Sequence, residues 1–491
     1  MNKFSERAIY STGNLCRSIT DSLDRRTKFE IWFAFFSIVC FGMEKKMVNQ
    51  LYLLNLTVSG VKCIKEDVRL DFYKKTIDKN FNPEKYRVKA IYGENGSGKS
   101  ALMTAVKIFQ NLIISTNYLM ESKTQEFLDE IINKSTRTLR FTCEFLIGTD
   151  DEQMVYNYSF CIGKNNNGLY HIQSETLKVK NGNYPNNKYQ ILFECKEGEL
   201  IYVSCNEQAK EVIEKVTTNL LSMQPFIYLY ITNIKKVAVA GEKFLDKDFF
   251  IYILMFSFTP LFMKIYIPAE DQHELYFLKR SLREESIDQK ELLDTFFAFE
   301  ERWNVYSSVN QKYVSKKHYD EYKQKVSQLT QFIKIFKPGL ASIDIDAKEN
   351  GEEYVCDLNL NYGDYVINKE FESTGIKKLI RLFDCFESAS TGGIVFVDEM
   401  DANLNDVYLC KLIEYFMYYG KGQLCFTTHN LDPMSVLKEN RNSIDFLSSD
   451  NHLVPWTSRG NASPENCYKN GMIEDSPFNI DATDFVGIFG E

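Results

Sequence analysis

Residues 93–100 read Gly-Glu-Asn-Gly-Ser-Gly-Lys-Ser, the spacing G-x-x-x-x-G-K-[ST]. Before this loop, Tyr86–Tyr92 has the make-up of a short buried strand. After it, Ala101–Leu119 puts Leu102, Val106, Phe109 and Ile113 on one face at helical spacing. Strand, glycine loop and helix in that order belong to an α/β layer whose loop lies at the C-terminal edge of the sheet. A loop of this kind wraps phosphates with backbone N–H groups, and the helix N-terminus adds its dipole. Gly93, Glu94, Asn95, Gly96, Ser97, Gly98, Lys99, Ser100 and Ala101 are therefore the candidate phosphate-binding residues. Lys99 would reach the β and γ phosphates, and Ser100 would ligate Mg²⁺.

Two later segments have the character of neighbouring strands. Gly393-Ile-Val-Phe-Val and Gln423-Leu-Cys-Phe-Thr are continuous apolar runs that alternate with helices, which implies a parallel sheet covered on both faces. The first ends in Asp398-Glu399. A carboxylate at that edge, beside the phosphate loop, suits Mg²⁺ held through water, assigned to Asp398, while Glu399 would orient or deprotonate an attacking water. The second run leads into Thr427-Thr428-His429-Asn430, from which His429 would reach the γ-phosphate. Phe371-Glu-Ser373-Thr374-Gly375-Ile-Lys377 precedes a helix, so Ser373 and Gly375 form either a further anion site or a plain N-cap.

Elsewhere the period changes. Residues 51–58 and 68–72 read as a strand pair turning at Gly60, and 136–205 alternates as an antiparallel meander. Residues 206–338 turn largely helical and include the apolar run Phe249–Met263, which is too short to span a bilayer. Leu292, Phe296, Phe299, Trp303, Tyr306, Asn310 and Tyr313, then Tyr319, Tyr322, Val326, Leu329, Ile333 and Phe336, repeat at heptad-like spacing. They form either a helical arm bent near Ser315–His318 or two amphipathic helices packed on the body. Ile343–Ile345, Tyr354–Leu360 and Tyr365–Ile367 alternate as strands.

The organisation expected is 1–46 as an N-terminal extension, 47–205 as the first half of a core, 206–339 as a helical insertion and 340–491 as the second half. Ile31–Gly42 follows Arg25, Arg26 and Lys28 and imitates a signal peptide without a small-residue cleavage site, so Met43 or Met47 competes with Met1 as the start. The C-terminal stretch with Asn466–Met472 and Asp481–Phe489 either completes the domain or docks a partner. Fifty-eight Lys+Arg against 67 Asp+Glu give a net charge of −9, which removes a chain-wide electrostatic case for nucleic acid and leaves a local patch open. The 12 cysteines show no paired spacing, as suits reduced thiols in a cytoplasmic protein.

The set Gly93–Ser100, Ser373–Gly375, Asp398-Glu399 and His429 resembles the ABC-type ATPase core. More narrowly it resembles the bacterial "AAA family ATPase" proteins related to SMC and OLD ATPases, often found in abortive-infection and other anti-phage loci. The resemblance covers roughly 47–205 and 340–435 and implies an α/β P-loop head with a mixed sheet and β-meander, interrupted by a mainly helical insertion. It also implies ATP with Mg²⁺, and a homodimer whose heads sandwich two ATP molecules. Ser373 and Gly375 would then contact ATP held by the other protomer, and Asp401-Ala-Asn403-Leu404 would cross the interface as the D-loop. Thr374 and Ile376 replace the glycine and glutamine of transporter signatures, and Gln173 is either the family's glutamine-loop residue or an ordinary strand residue. Lys99 and Asp398 lie 299 positions apart (398 − 99), which argues against a transporter subunit.

Two functions follow from the resemblance. One is a defence ATPase that controls a protein effector, such as a nuclease encoded nearby; the chain itself has no metal-binding acidic cluster after residue 406. The other is an SMC-like DNA-repair or DNA-clamping ATPase that grips nucleic acid through 206–338, where Lys316, Lys317, Lys334 and Lys337 supply basic charge. No membrane role is expected.

Overall fold

The computed structural model describes residues 48–115, 117–149, 152–217, 220–231, 246–268, 308–440, 442–457, 462–473 and 476. The extension 1–46, the first heptad-like run up to Tyr306, and Asp481–Phe489 lie outside the described residues. Strands β1 (Val48–Ser59), β2 (Val68–Asp71), β3 (Val88–Tyr92), β4 (Thr138–Thr149), β5 (Gln153–Lys164), β6 (Tyr170–Asn181), β7 (Gln190–Lys196), β8 (Glu199–Val203) and β9 (Met263–Tyr266) come first. Then follow β10 (Tyr313–Ser315), β11 (Ser342–Asn350), β12 (Glu353–Asn361), β13 (Val366–Asn368), β14 (Ile394–Val397), β15 (Gln423–Thr427), β16 (Ile444–Leu447) and β17 (Leu453–Pro455). The helices that bear on the site are α1 (Lys99–Ile114), α2 (Lys247–Ser257), α3 (Tyr319–Phe336), α4 (Thr374–Thr391), α5 (Asp406–Tyr418) and α6 (Pro464–Lys469).

The chain divides into two units. The larger takes its described residues from Val48–Ile267, Ser388–Asp401 and Leu409–Glu491. Its central sheet has the order β17-β16-β3-β15-β14-β9, parallel except for β17. Strands β3, β14 and β15 are buried at every position, which is why they read as unbroken apolar runs. The second sheet, β2-β1-β4-β5-β6-β7-β8, is antiparallel throughout, as its period-two sequence requires. Helix α1 packs on it through Phe109, whose ring stacks on Phe141 at 5.0 Å. The Gln423 side chain of β15 joins the sheets, accepting from Leu53 N at 2.6 Å and donating to Leu53 O at 2.9 Å. The result is an α/β P-loop head with an antiparallel meander.

Two element boundaries differ from the sequence reading. Helix α1 stops at Ile114, because Ser115 is extended, and does not run to Leu119. The run Phe249–Met263 is helical only to Ser257; a 3₁₀ turn with Pro260 near its start follows over Thr259–Phe262, and Met263–Tyr266 becomes the edge strand of the parallel sheet beside β14. Gln110 of α1 fixes that edge by donating to Pro260 O (3.0 Å) and Met263 O (2.9 Å). By compactness, the described residues of 206–267 fall in the larger unit. Residues 340–387 fall in the smaller unit.

The smaller unit is described at Pro268, 308–387 and Ala402–Tyr408, and holds β10 to β13, α3 and the first part of α4. It is mixed α/β among the described residues. Helix α3 carries the second heptad-like run and packs on its own unit, burying Tyr322, Val326, Leu329 and Ile333. Phe332 meets Phe383 (5.5 Å) and Phe386 (5.9 Å), and Lys325 sits between Asp384 (3.0 Å) and Glu387 (2.8 Å). Tyr313 is not helical; it opens β10 opposite Val355.

One buried acid makes the head pH-sensitive. Glu175 on β6 is fully buried and accepts from Tyr158 Oη (3.0 Å) and Phe226 N (2.7 Å). Burial pushes its pKa up from 4.5 to about 7 against the pull of those donors. Below the unfolded value both states carry the proton and nothing is lost; as pH rises through the folded value the head must ionise a buried group. Glu175→Gln is therefore expected to raise stability by about 1–3 kcal/mol at pH 8 and by much less near pH 5, read by urea unfolding at both.

Candidate functional site

Strands β3, β15 and β14 lie side by side in that order, and their C-terminal ends deliver the three motifs to one edge. This is where an open α/β sheet places ligands. The loop after β3 needs its glycines: Gly98 has φ 108°, and a Cβ on Gly93 would come within 2.4 Å of Leu447 O. Lys99 is buried, and its ammonium donates to Gly93 O and Glu94 O at 2.8 Å each. Burial lowers its pKa from the ordinary lysine value, while Asp398, Glu399, Asp401 and Glu94 pull the other way. Ser97 Oγ is buried with no hydrogen-bond partner among the described residues.

A groove of about 200 Å³ is lined by Lys99, Ser100, Asp398, Glu399, Thr427 and His429, with Lys62 and Cys63 from the loop after β1 at its rim. The sequence reading missed Lys62 and Cys63 because no local pattern marks them. Asp398 is fully buried, and its Oδ1 accepts from Thr427 Oγ1 at 2.5 Å. Its Oδ2 is buried without a partner among the described residues. A bare buried carboxylate oxygen is costly unless a cation takes it. Together with the Ser100 hydroxyl on the same groove, it offers the hard oxygen donors that Mg²⁺ prefers, so the residues fit that ion. Glu399 adopts φ 50°, an unusual conformation for a residue with a side chain. Its amide donates to Thr427 Oγ1 at 2.7 Å.

His429 is exposed, and its backbone N–H donates to Asp401 Oδ2 at 3.4 Å. Partial desolvation of the ring against the groove, then the nearby Lys99 charge, lower its pKa below the usual histidine value. The shift favours the neutral imidazole, which can donate one hydrogen bond without bringing a charge. His429 also lines a second cavity of about 430 Å³ beside Glu94, Asn95 and Tyr468. Tyr468 comes from α6 and stacks on Phe446 of β16 at 5.4 Å, so this part of the C-terminal segment completes the head.

Ser373 and Gly375 belong to the smaller unit. Ser373 Oγ accepts from Ile376 N at 3.5 Å, an N-cap on α4. Gly375 has no room for a Cβ, which would stand 2.5 Å from Asn403 O, and buried Lys378 donates to Ala402 O at 2.9 Å. The first turn of α4 and residues 402–403 are thereby tied together. Gln173 sits in β6 beside a register shift, against Gly163 and Cys161, and does not line the groove.

Among the described residues no helix is long and apolar enough to cross a membrane. No protein-family model matches the chain, and no curated protein matches it. Among solved structures it is similar to the recombination mediator protein RecF–ATPrS in the RecFOR pathway, at 14% identity and TM-score 0.35, over 84% of this chain and 99% of that one. It is also similar to RecF–ATP, at 15% identity and TM-score 0.34, over 82% and 98%.

Proposed function

We propose that this chain is an ABC-type ATPase that binds ATP with Mg²⁺, closes as a head-to-head homodimer and reopens on hydrolysis. The observation that carries the reading is the convergence of Lys99, Ser100, Asp398, Glu399 and His429 on one groove at the sheet edge. Loop amides and Lys99 bind the β and γ phosphates; Glu399 orients the attacking water and takes its proton; His429 donates to the γ-phosphate. Mg²⁺ held by Ser100 and Asp398 would neutralise charge developing on the phosphate oxygens. Ser373 and Gly375 serve the partner's nucleotide, in keeping with Phe371, two residues earlier, which is 78% exposed.

The switch acts on a protein effector in anti-phage defence, a reading supported by the family resemblance and the net negative charge. The DNA-clamp alternative draws less support, because Lys316 already pairs with Glu349 at 3.5 Å. Identification of the protein that copurifies with the chain tests the effector.

Action in trans has a sharper test. Lys99→Ala and Ser373→Arg chains are each expected to be inactive alone. Mixed in equal amounts they should recover about a quarter of wild-type turnover, since half the dimers are mixed and each mixed dimer has one intact site. No recovery would remove Ser373 from the partner's site.

A further inference from the structure

We propose that Thr427 is the positioning residue that sets both carboxylates of the site through a single hydroxyl. The inference rests on the ATPase reading above and deepens it.

A threonine hydroxyl has one proton to give and lone pairs to receive. Here the proton goes to Asp398 Oδ1 (2.5 Å) and a lone pair takes the Glu399 N–H (2.7 Å). The Thr427 carbonyl adds a third tie by accepting from Met400 N at 3.0 Å. Thr427 is fully buried at the end of β15, between the strands that carry the phosphate loop and the acids. Its side chain is thus held in one orientation by packing as well as by hydrogen bonds.

Two consequences follow. Because Oδ1 of Asp398 is committed to the hydroxyl, the buried Oδ2 is the oxygen left for a metal or its water. A group that fixes a ligand in this way tunes metal affinity without touching the metal. The second consequence concerns Glu399, whose φ of 50° is disfavoured for a residue with a Cβ. Capture of its amide by Thr427 holds that backbone, and so the direction from which the carboxylate approaches water.

The test compares Thr427→Val, which keeps the shape and removes the hydroxyl, with Thr427→Ser, which keeps the hydroxyl. Three quantities are read: kcat and KM for ATP, the Mg²⁺ concentration that half-saturates the Mg²⁺-dependent gain in affinity for a fluorescent ATP analogue, and analogue affinity in EDTA. T427V is expected to lower kcat about 10–100-fold and raise the Mg²⁺ half-saturation about tenfold, with affinity in EDTA unchanged. T427S should stay within about threefold of wild type on all three. Should T427V not fold, T427A removes the same hydroxyl without the branch and is read identically. Wild-type kcat and Mg²⁺ dependence in T427V, or equal impairment in T427S, would overturn the proposal. A wild-type chain that binds the analogue but never hydrolyses ATP would overturn the ATPase reading instead, and the Mg²⁺ half-saturation would still decide the role of Thr427.

Discussion

Glu399→Gln is expected to cut ATP turnover by about 10²–10⁴-fold while leaving nucleotide affinity within a few-fold of wild type. The substitution removes a base and little else. Glutamine has nearly the same volume, its backbone can be held by Thr427 Oγ1 as before, and the phosphate loop with Lys99 lies on a different strand. One charge is lost beside Lys99, whose pKa Glu399 helps to raise, so the ammonium faces one fewer competing carboxylate when a phosphate arrives. Affinity should therefore hold or rise slightly. Since opening is coupled to hydrolysis, the variant should also accumulate as an ATP-bound dimer. Phosphate release, equilibrium binding of a fluorescent analogue and size exclusion with and without ATP read the three parts separately. Unchanged phosphate release would remove Glu399 from the proposed role, whatever the dimer does.

What was legible in the sequence is what phosphate chemistry dictates residue by residue. The phosphate loop tolerates few alternatives at Gly93, Gly98 and Lys99, and the acids follow an unbroken apolar strand because that strand is buried on both faces. The placement of β15 next to β14, which brings His429 to the loop, also followed from the alternation of apolar strands with helices. The hydroxyl of Thr427 was harder to see: a threonine ahead of Thr428-His429 looks like an ordinary strand end until β14 is laid beside β15. Met263–Tyr266 was hidden for a different reason. Four residues after a helix and a proline have no period of their own, and only pairing with Ile394–Val397, more than a hundred positions away, makes them a strand.

Lys89 is the clearest case of a residue whose meaning lies in its partner, and its replacement should have the largest effect on stability. In sequence it is one charge in an apolar strand. In the head it is 1% exposed, and its ammonium lies 2.6 Å from Asp445 Oδ2 on the neighbouring strand β16, itself 2% exposed. Asp445 Oδ1 has no hydrogen-bond partner among the described residues, so the carboxylate depends heavily on this lysine. Lys89→Met leaves a buried anion uncompensated and should cost about 3–5 kcal/mol. Lys74 also feels the Asp445 charge, but it is exposed and would have to shed its own water to take over. Removing both charges is a different matter. The pair was itself expensive to desolvate, so Lys89→Met with Asp445→Leu should recover most of the loss. Urea unfolding of the two single variants and the double variant measures the coupling directly. Because β3 runs straight into the phosphate loop, nucleotide affinity should fall in K89M and return in the double variant. Additive losses in the double variant would show that the strands need the charges themselves and not merely their neutrality.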